Sequence, residues 1–153
     1  MKTRGFEVVK DEMRKTKGAV MLPKRSTSES AGYDFYLPYD IVISPHGCTG
    51  IIPTDIKAYM QEGEVLMLYV RSSVGIKKGL VLANGTGVVD MDYYSNPDND
   101  GNIGVALRNE TDVPVILKRG ERIMQGIFVK YLVADNGNTD NVRDGGFGST
   151  GTK

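Results

Sequence analysis

Apolar residues along the chain fall in short runs or alternate with polar ones, and Gly, Pro, Asn and Asp interrupt them at close spacing. Ile41-Val42-Ile43 runs into Ser44-Pro45-His46-Gly47, a turn signal, and Ile51-Ile52 runs into Pro53. Val65-Leu66-Met67-Leu68-Tyr69-Val70 is a continuous apolar run of strand length, which predicts a strand buried on both faces. Leu80-Val81-Leu82 and Val88-Val89 bracket Asn84-Gly85, which predicts a hairpin. Ile103, Val105 and Leu107 alternate, as do Val113, Val115 and Leu117, where Pro114 marks an edge or a strand start. A last long run covers residues 123–133. Helical periodicity is weak: a short charged helix is expected over 11–17 and a single helical turn over 72–78. Many short strands with closely spaced turns and no fixed-period repeat predict an all-β fold, a sandwich, jelly roll or small barrel.

Residues 135–153 break this pattern. Val142 and Phe147 are their only large apolar side chains, and five glycines lie among them. Such a segment buries too little surface to order itself, so the chain divides into a β domain over 1–134 and a flexible glycine-rich arm over 135–153. A frayed terminus accounts for that composition equally well. Yet Arg143, Phe147, Ser149 and Thr150 bring a cation, a ring and two hydroxyls onto a glycine hinge, a set able to wrap a base and a phosphate.

Length and charge narrow the partners. The 153 residues suffice for one domain with a real core. Lys plus Arg equal Asp plus Glu at 19 each, which argues against duplex nucleic acid or an anionic membrane as the main partner, though not against a small anion in a local basic pocket. No run reaches the length of a transmembrane helix and the start lacks a signal-peptide core, so a cytoplasmic location is expected. One cysteine, Cys48, excludes an intrachain disulfide framework, and one histidine, His46, leaves too few ligands for a His/Cys zinc cage.

Five short segments carry the remaining chemistry: Ala31-Gly32-Tyr33-Asp34-Phe35, Arg71-Ser72-Ser73, Gly87-Val88-Val89-Asp90-Met91-Asp92-Tyr93, Gly120-Glu121-Arg122-Ile123-Met124-Gln125 and Gly145-Gly146-Phe147-Gly148-Ser149-Thr150-Gly151. Each alone has an ordinary reading: a turn aspartate, a strand tyrosine, a solvent-facing glutamine. In this order and spacing the set resembles the five motifs of the trimeric dUTPases, spanning residues 31–151. Val70 and Ser73 stand where relatives often have proline and glycine. Arg143 lies four residues before Phe147 rather than five, and a longer polar loop, 94–101, follows Tyr93 and reads as surface.

The resemblance implies a jelly-roll-like β-barrel assembled as a homotrimer, with a mobile C-terminal arm. It implies magnesium-assisted hydrolysis of dUTP to dUMP and pyrophosphate, which keeps uracil out of DNA and supplies dUMP for dTMP synthesis. Asp90 is then the catalytic residue that positions the attacking water and takes its proton. Tyr93 lies under the deoxyribose and leaves no room for a 2′-hydroxyl. Asn84 and the backbone around Gly87 and Val89 read the uracil edge. Arg71, Ser72 and Ser73 offer a guanidinium fork and hydroxyls to the phosphate chain, and Gln125 lies near it. Phe147 stacks on the base; Arg143, Gly148, Ser149 and Thr150 meet phosphate. Asp34 reaches Mg2+ through water while the metal bridges the phosphates. Each site draws Asp34, Arg71, Ser72 and Gln125 from one subunit, Asn84, Asp90 and Tyr93 from a second, and the arm from the third. Two alternatives remain: a dCTP deaminase-like enzyme of the same fold, and a nucleotide-gated regulatory trimer that binds another protein, for which loop 94–101 offers a docking place.

Overall fold

The computed structural model describes residues 1–146 and Gly148. In chain order its strands are β1 (Gly5–Val8), β2 (Lys24–Arg25), β3 (Tyr33–Tyr36), β4 (Ile41–Ile43), β5 (Ile52–Pro53), β6 (Ile56–Tyr59) and β7 (Glu64–Val70). After these come β8 (Leu80–Leu82), β9 (Gly87–Val89), β10 (Gly104–Val105), β11 (Leu107–Asn109), β12 (Val115–Leu117) and β13 (Arg122–Lys130). Five form one sheet in the order β2-β3-β13-β7-β9, and the rest pair as β1-β6, β5-β10, β8-β11 and β4-β12. Every pairing is antiparallel, so the all-β expectation holds. Among the described residues no helix is long and apolar enough to cross a membrane.

The two longest apolar runs become the spine. β13 pairs with β7 from Met124↔Val70 to Lys130↔Glu64 and with β3 from Arg122↔Tyr36 to Gly126↔Tyr33. Leu66 and Leu68 point inward, with Phe35, Leu80, Leu107, Leu117, Ile123 and Met124, all nearly or fully buried. Gly126 is required where β13 crosses this core, because a Cβ there would lie 2.9 Å from Leu66 Cδ1 and 3.2 Å from Phe35 Cε2. The expected two-sided burial of residues 65–70 is only half met. Val65 is buried and Met67 partly so, but Tyr69 on the same face is 37% exposed.

Three local expectations change. The strands flanking Asn84-Gly85 do not form a hairpin: β8 pairs with β11 and β9 with β7. The turn itself forms, with Gly85 N donating to Leu82 O and Thr86 N to Asn84 O, both at 2.9 Å, but it carries the chain from one sheet to another. Asn-Gly specifies a turn and not its pairing partner, and fully buried Leu80 and Leu107 decide the latter. The charged helix shrinks to a 3-10 turn at Asp11–Met13, because the amides of Lys15 and Thr16 donate to buried Asp55 at 2.8 and 2.9 Å instead of continuing a helix. The turn expected at 72–78 is a π-helical turn, Ser73–Lys77, that buries Val74. β13 ends at Lys130, and residues 131–146 hold no helix or strand.

Candidate active site

Asp90 directly follows β9 and caps the 3-10 turn Met91–Tyr93. That turn throws the Asp90 and Asp92 carboxylates outward, with side chains 54% and 55% exposed, and tucks the Tyr93 ring inward. Between them opens a cavity of about 210 Å³ lined by Asn84, Gly87, Val89, Asp90, Tyr93, Arg143 and Gly148, among others. A side chain at Gly87 would collide with Leu68, 2.9 Å from its Cβ, so β9 presents bare backbone to the cavity at this point. Asn84 is exposed at the turn above it.

The arm reaches this cavity in its own chain. Arg143 Nη2 donates to Asp90 Oδ2 and Nε to Asp92 Oδ1, both at 2.8 Å, and the guanidinium carbon lies 5.7 Å from the Tyr93 ring centre. Burial opposes the charge on Arg143, but the bond to Asp92 and the attraction of both carboxylates outweigh it and raise its pKa. Gly146 N donates to Asp98 Oδ2 at 3.3 Å. Phe147, Ser149 and Thr150 lie outside the described residues.

A second cluster forms where β3 meets β13. Asp34 is buried on β3 opposite Gln125. Its carboxylate accepts from Ser26 Oγ at 2.7 Å and faces Arg71 Nε at 2.9 Å and Arg122 Nη1 at 3.5 Å. Arg71 directly follows β7, and its carbonyl accepts from Val74 N and Gly75 N, so the π-helical turn holding Ser73 hangs from it. Ser72 is exposed at the start of that turn. Gln125 lies against Gly32, where a Cβ would come within 2.2 Å of Gln125 Oε1. Among the described residues, none of Asp34, Arg71, Ser72, Ser73 or Gln125 lines the Asp90 cavity. One chain thus carries two half-sets, one rich in phosphate-binding groups and one with a carboxylate beside an aromatic pocket.

Loop 94–101, expected to be a solvated surface loop, is so only in part: Ser95, Pro97 and Asp98 are exposed while other members turn inward. Asn96, Asp100 and Asn102 are buried, and Lys57 Nζ pairs with Asp100 Oδ2 at 2.9 Å. Burial pushes Asp100 up, but bonds from the Lys10 amide and Lys57 outweigh it and hold the carboxyl below its usual range. Part of the polar sequence here serves internal hydrogen bonds rather than exposure, although Asp100 Oδ1 is buried without a partner. Sequence reading missed Asn99, Asn102, Ser26, Arg122 and Gly32 as supports of the candidate residues. The available signal was the three-residue spacing of Asn96, Asn99 and Asn102, which reads first as turn propensity.

Among the described residues no group of three or more His, Cys, Asp or Glu side chains could hold a metal ion. Asp34 is a single carboxylate already shared by two arginines and a hydroxyl.

Comparison with known proteins places this geometry. A family model described as dUTPase matches residues 19–151. The deoxyuridine 5'-triphosphate nucleotidohydrolase of Lactococcus lactis subsp. lactis (strain IL1403) is 52% identical over 154 residues, covering 99% of each chain. A crystal structure of dUTPase from Streptococcus mutans superposes with a TM-score of 0.75 at 46% identity, covering 86% of this chain and 99% of that one. A dUTPase from phage phi11 of S. aureus, described with a structural Mg(II) ion, matches with a TM-score of 0.66 at 20% identity, covering 92% of this chain and 98% of that one, a likeness of fold alone.

Proposed function

The chain belongs to the dUTPase family and is a dUTP diphosphatase, and we propose that Asp90 orients and deprotonates the water that attacks the α-phosphate. The observation that carries this is an exposed carboxylate at the mouth of a cavity whose walls are an asparagine turn, bare β9 backbone and a buried tyrosine. Uracil sits against Asn84, Gly87 and Val89, and the Tyr93 ring closes the space beside the sugar 2′-carbon. Arg71, Ser72, Ser73 and Gln125 hold the phosphate chain. Because these two half-sets do not share a cavity in one chain, the complete site is composite, and a homotrimer accounts for it.

Magnesium fits as an ion carried by the substrate. The chain offers no cage of three acidic or imidazole ligands among the described residues, and Mg2+ characteristically keeps several waters and takes its remaining oxygens from phosphates. Asp34 would touch it through water, and the ion supplies charge neutralisation and alignment of the phosphate oxygens.

The arm from residue 135 onward acts as a closing strap. In the described residues its attachments are two ion pairs from the largely buried Arg143 to half-exposed carboxylates, the contact of that guanidinium with the Tyr93 ring and one 3.3 Å hydrogen bond. A triphosphate offers several charged oxygens in place of these two carboxylates, so it competes for the largely buried Arg143. Phe147 would stack on the base while Gly148, Ser149 and Thr150 close on phosphate. The activity is assigned to the cytoplasmic nucleotide pool.

Asp90→Asn tests the assignment. The amide is nearly isosteric but cannot accept the proton of water, so turnover of dUTP falls about 10²–10⁴-fold while binding persists. Near-normal turnover would move the base elsewhere, Asp92 being the next carboxylate. Pyrophosphate release from dUTP, dCTP, dTTP and UTP, with and without magnesium, checks the substrate and the metal together.

A further inference from the structure

The loop that follows Tyr93 ends on Tyr93 itself. Asn99 Nδ2 lies 2.9 Å from the Tyr93 hydroxyl, and that hydroxyl lies 2.8 Å from the carbonyl oxygen of Asn102. The direction of each bond is fixed by backbone groups rather than by choice of amide orientation. Asn99 Oδ1 accepts from Gly101 N at 3.0 Å, so Nδ2 is the atom turned to the phenol and must donate. The Asn102 carbonyl can only accept, so the phenol donates to it. Burial raises the Tyr93 pKa against the opposing bond from Asn99, which keeps that proton in place. The loop is locked in turn. Asn96 Oδ1 accepts from Asp98 N and Asn99 N, and its Nδ2 donates to the Tyr93 carbonyl and to Asn99 Oδ1. Asn102 exchanges two hydrogen bonds with Asp55, at 2.8 and 2.9 Å. Gly101, at φ +86°, passes so close to Tyr93 O, 2.8 Å from a would-be Cβ, that no side chain fits.

A ring excludes one extra hydroxyl only while it stays where it is. An aromatic side chain free to tilt by a few tenths of an ångström makes room, and a pocket that merely crowds an added hydroxyl discriminates weakly. Two hydrogen bonds at the far end of the ring remove that freedom. We propose that Asn99 is a positioning residue for sugar discrimination: by clamping the Tyr93 hydroxyl against the Asn102 carbonyl it holds the ring rigid enough to reject ribonucleotides. This rests on the assignment of Tyr93 as the wall beside the sugar.

The test is kcat/KM for dUTP and UTP in the full-length enzyme and in Tyr93→Ala, Tyr93→Phe, Asn99→Asp and the double variant Asn99→Asp/Tyr93→Phe. Asn99→Asp keeps the oxygen that binds Gly101 N and replaces the donor to the phenol by a charged acceptor, which competes with the Asn102 carbonyl for the phenol proton. Tyr93→Phe keeps the ring and removes both tethers, so it stands as an independent probe if the Asn99 variant folds poorly. The dUTP/UTP ratio should fall about tenfold in each single variant, through a gain with UTP rather than a loss with dUTP. The double variant should fall no further, because both changes cut one clamp. A ratio unchanged in Tyr93→Phe, or additive losses in the double variant, overturns the clamp while Tyr93→Ala still relaxes discrimination. A ratio unchanged in Tyr93→Ala overturns the reading of Tyr93 as the sugar wall, and the clamp with it.

Discussion

Asp55→Asn should destabilise the protein severely, in a way that acid erases. Asp55 is fully buried and holds a left-handed backbone, φ 59°. Its Oδ1 accepts from Lys15 N and Asn102 Nδ2, both at 2.8 Å. Its Oδ2 accepts from Thr16 N at 2.9 Å and Thr16 Oγ1 at 2.5 Å, with Arg14 Nε 3.7 Å away. An amide NH2 at the Oδ1 position faces two donors; at the Oδ2 position it faces the Thr16 amide, with only the Thr16 hydroxyl able to turn and accept; either way the charge opposite Arg14 is gone. Each stranded buried group costs about 1–3 kcal/mol, and unpairing a buried ion costs about 3–5 kcal/mol. The exposed strap at residue 15 can peel away and rehydrate, so the total settles at about 3–5 kcal/mol, equivalent to about 10 °C in Tm.

Burial pushes the Asp55 carboxyl up, but the bonds from Thr16, Lys15 and Asn102 outweigh it and leave its pKa lowered. A depressed acid contributes stability that is complete above its unfolded value, about 3.9, and is lost as pH falls through the folded value. The gap between wild type and Asp55→Asn should therefore be full at neutral pH and narrow below about pH 4. Urea unfolding of both proteins at one fixed concentration measures it, since any assembly makes stability concentration-dependent. A gap under about 1 kcal/mol at neutral pH, or one that widens in acid, would show that Asp55 is not the anchor described.

Deleting residues 143–153 should leave the unfolding profile of the β domain almost unchanged and lower dUTP turnover about a hundredfold or more, because Arg143 and the positions beyond it align the nucleotide; full activity after deletion would reduce the arm to a frayed end. Mixing that truncated chain with Asp90→Asn should restore part of the activity if the arm closes on the Asp90 of another subunit, and none if it stays on its own, where Arg143 meets Asp90 in a single chain; light scattering should report three chains per particle, and a monomeric mass at micromolar concentration counts against both. Gly32→Ala forces Gln125 aside, since the new Cβ would sit 2.2 Å from its Oε1. It should cut kcat/KM for dUTP about tenfold with a smaller effect on Tm, since the closest atom is the end of a flexible side chain and only Gln125 Cβ, at 3.1 Å, is held by the strand. Thermal melts and steady-state kinetics separate the two effects.

Much of this protein was already written in its amino-acid order. Period-two alternation and buried runs such as 65–70 specify strands because successive side chains point to opposite faces, and that is a local property. The five motifs named the family, and the balanced charge argued against duplex nucleic acid as the main partner. What the order did not contain was pairing. Asn84-Gly85 says turn, but whether β8 and β9 meet across it depended on where Leu80 and Leu82 find burial, and they find it against β11. Loop 94–101 reads as solvated because Ser, Asn and Asp make up most of it. Only the folded chain brings Asp55 and Lys57 to Asn102 and Asp100 and turns those groups inward as a hydrogen-bonded network. The division of the candidate site into an Asp90 cavity and an Asp34–Arg71 cluster is likewise tertiary. Hydrogen-bond partners more than 40 residues apart in the chain are chosen by the desolvation cost of leaving a buried group unpaired, and that cost exists only once the core has closed around it.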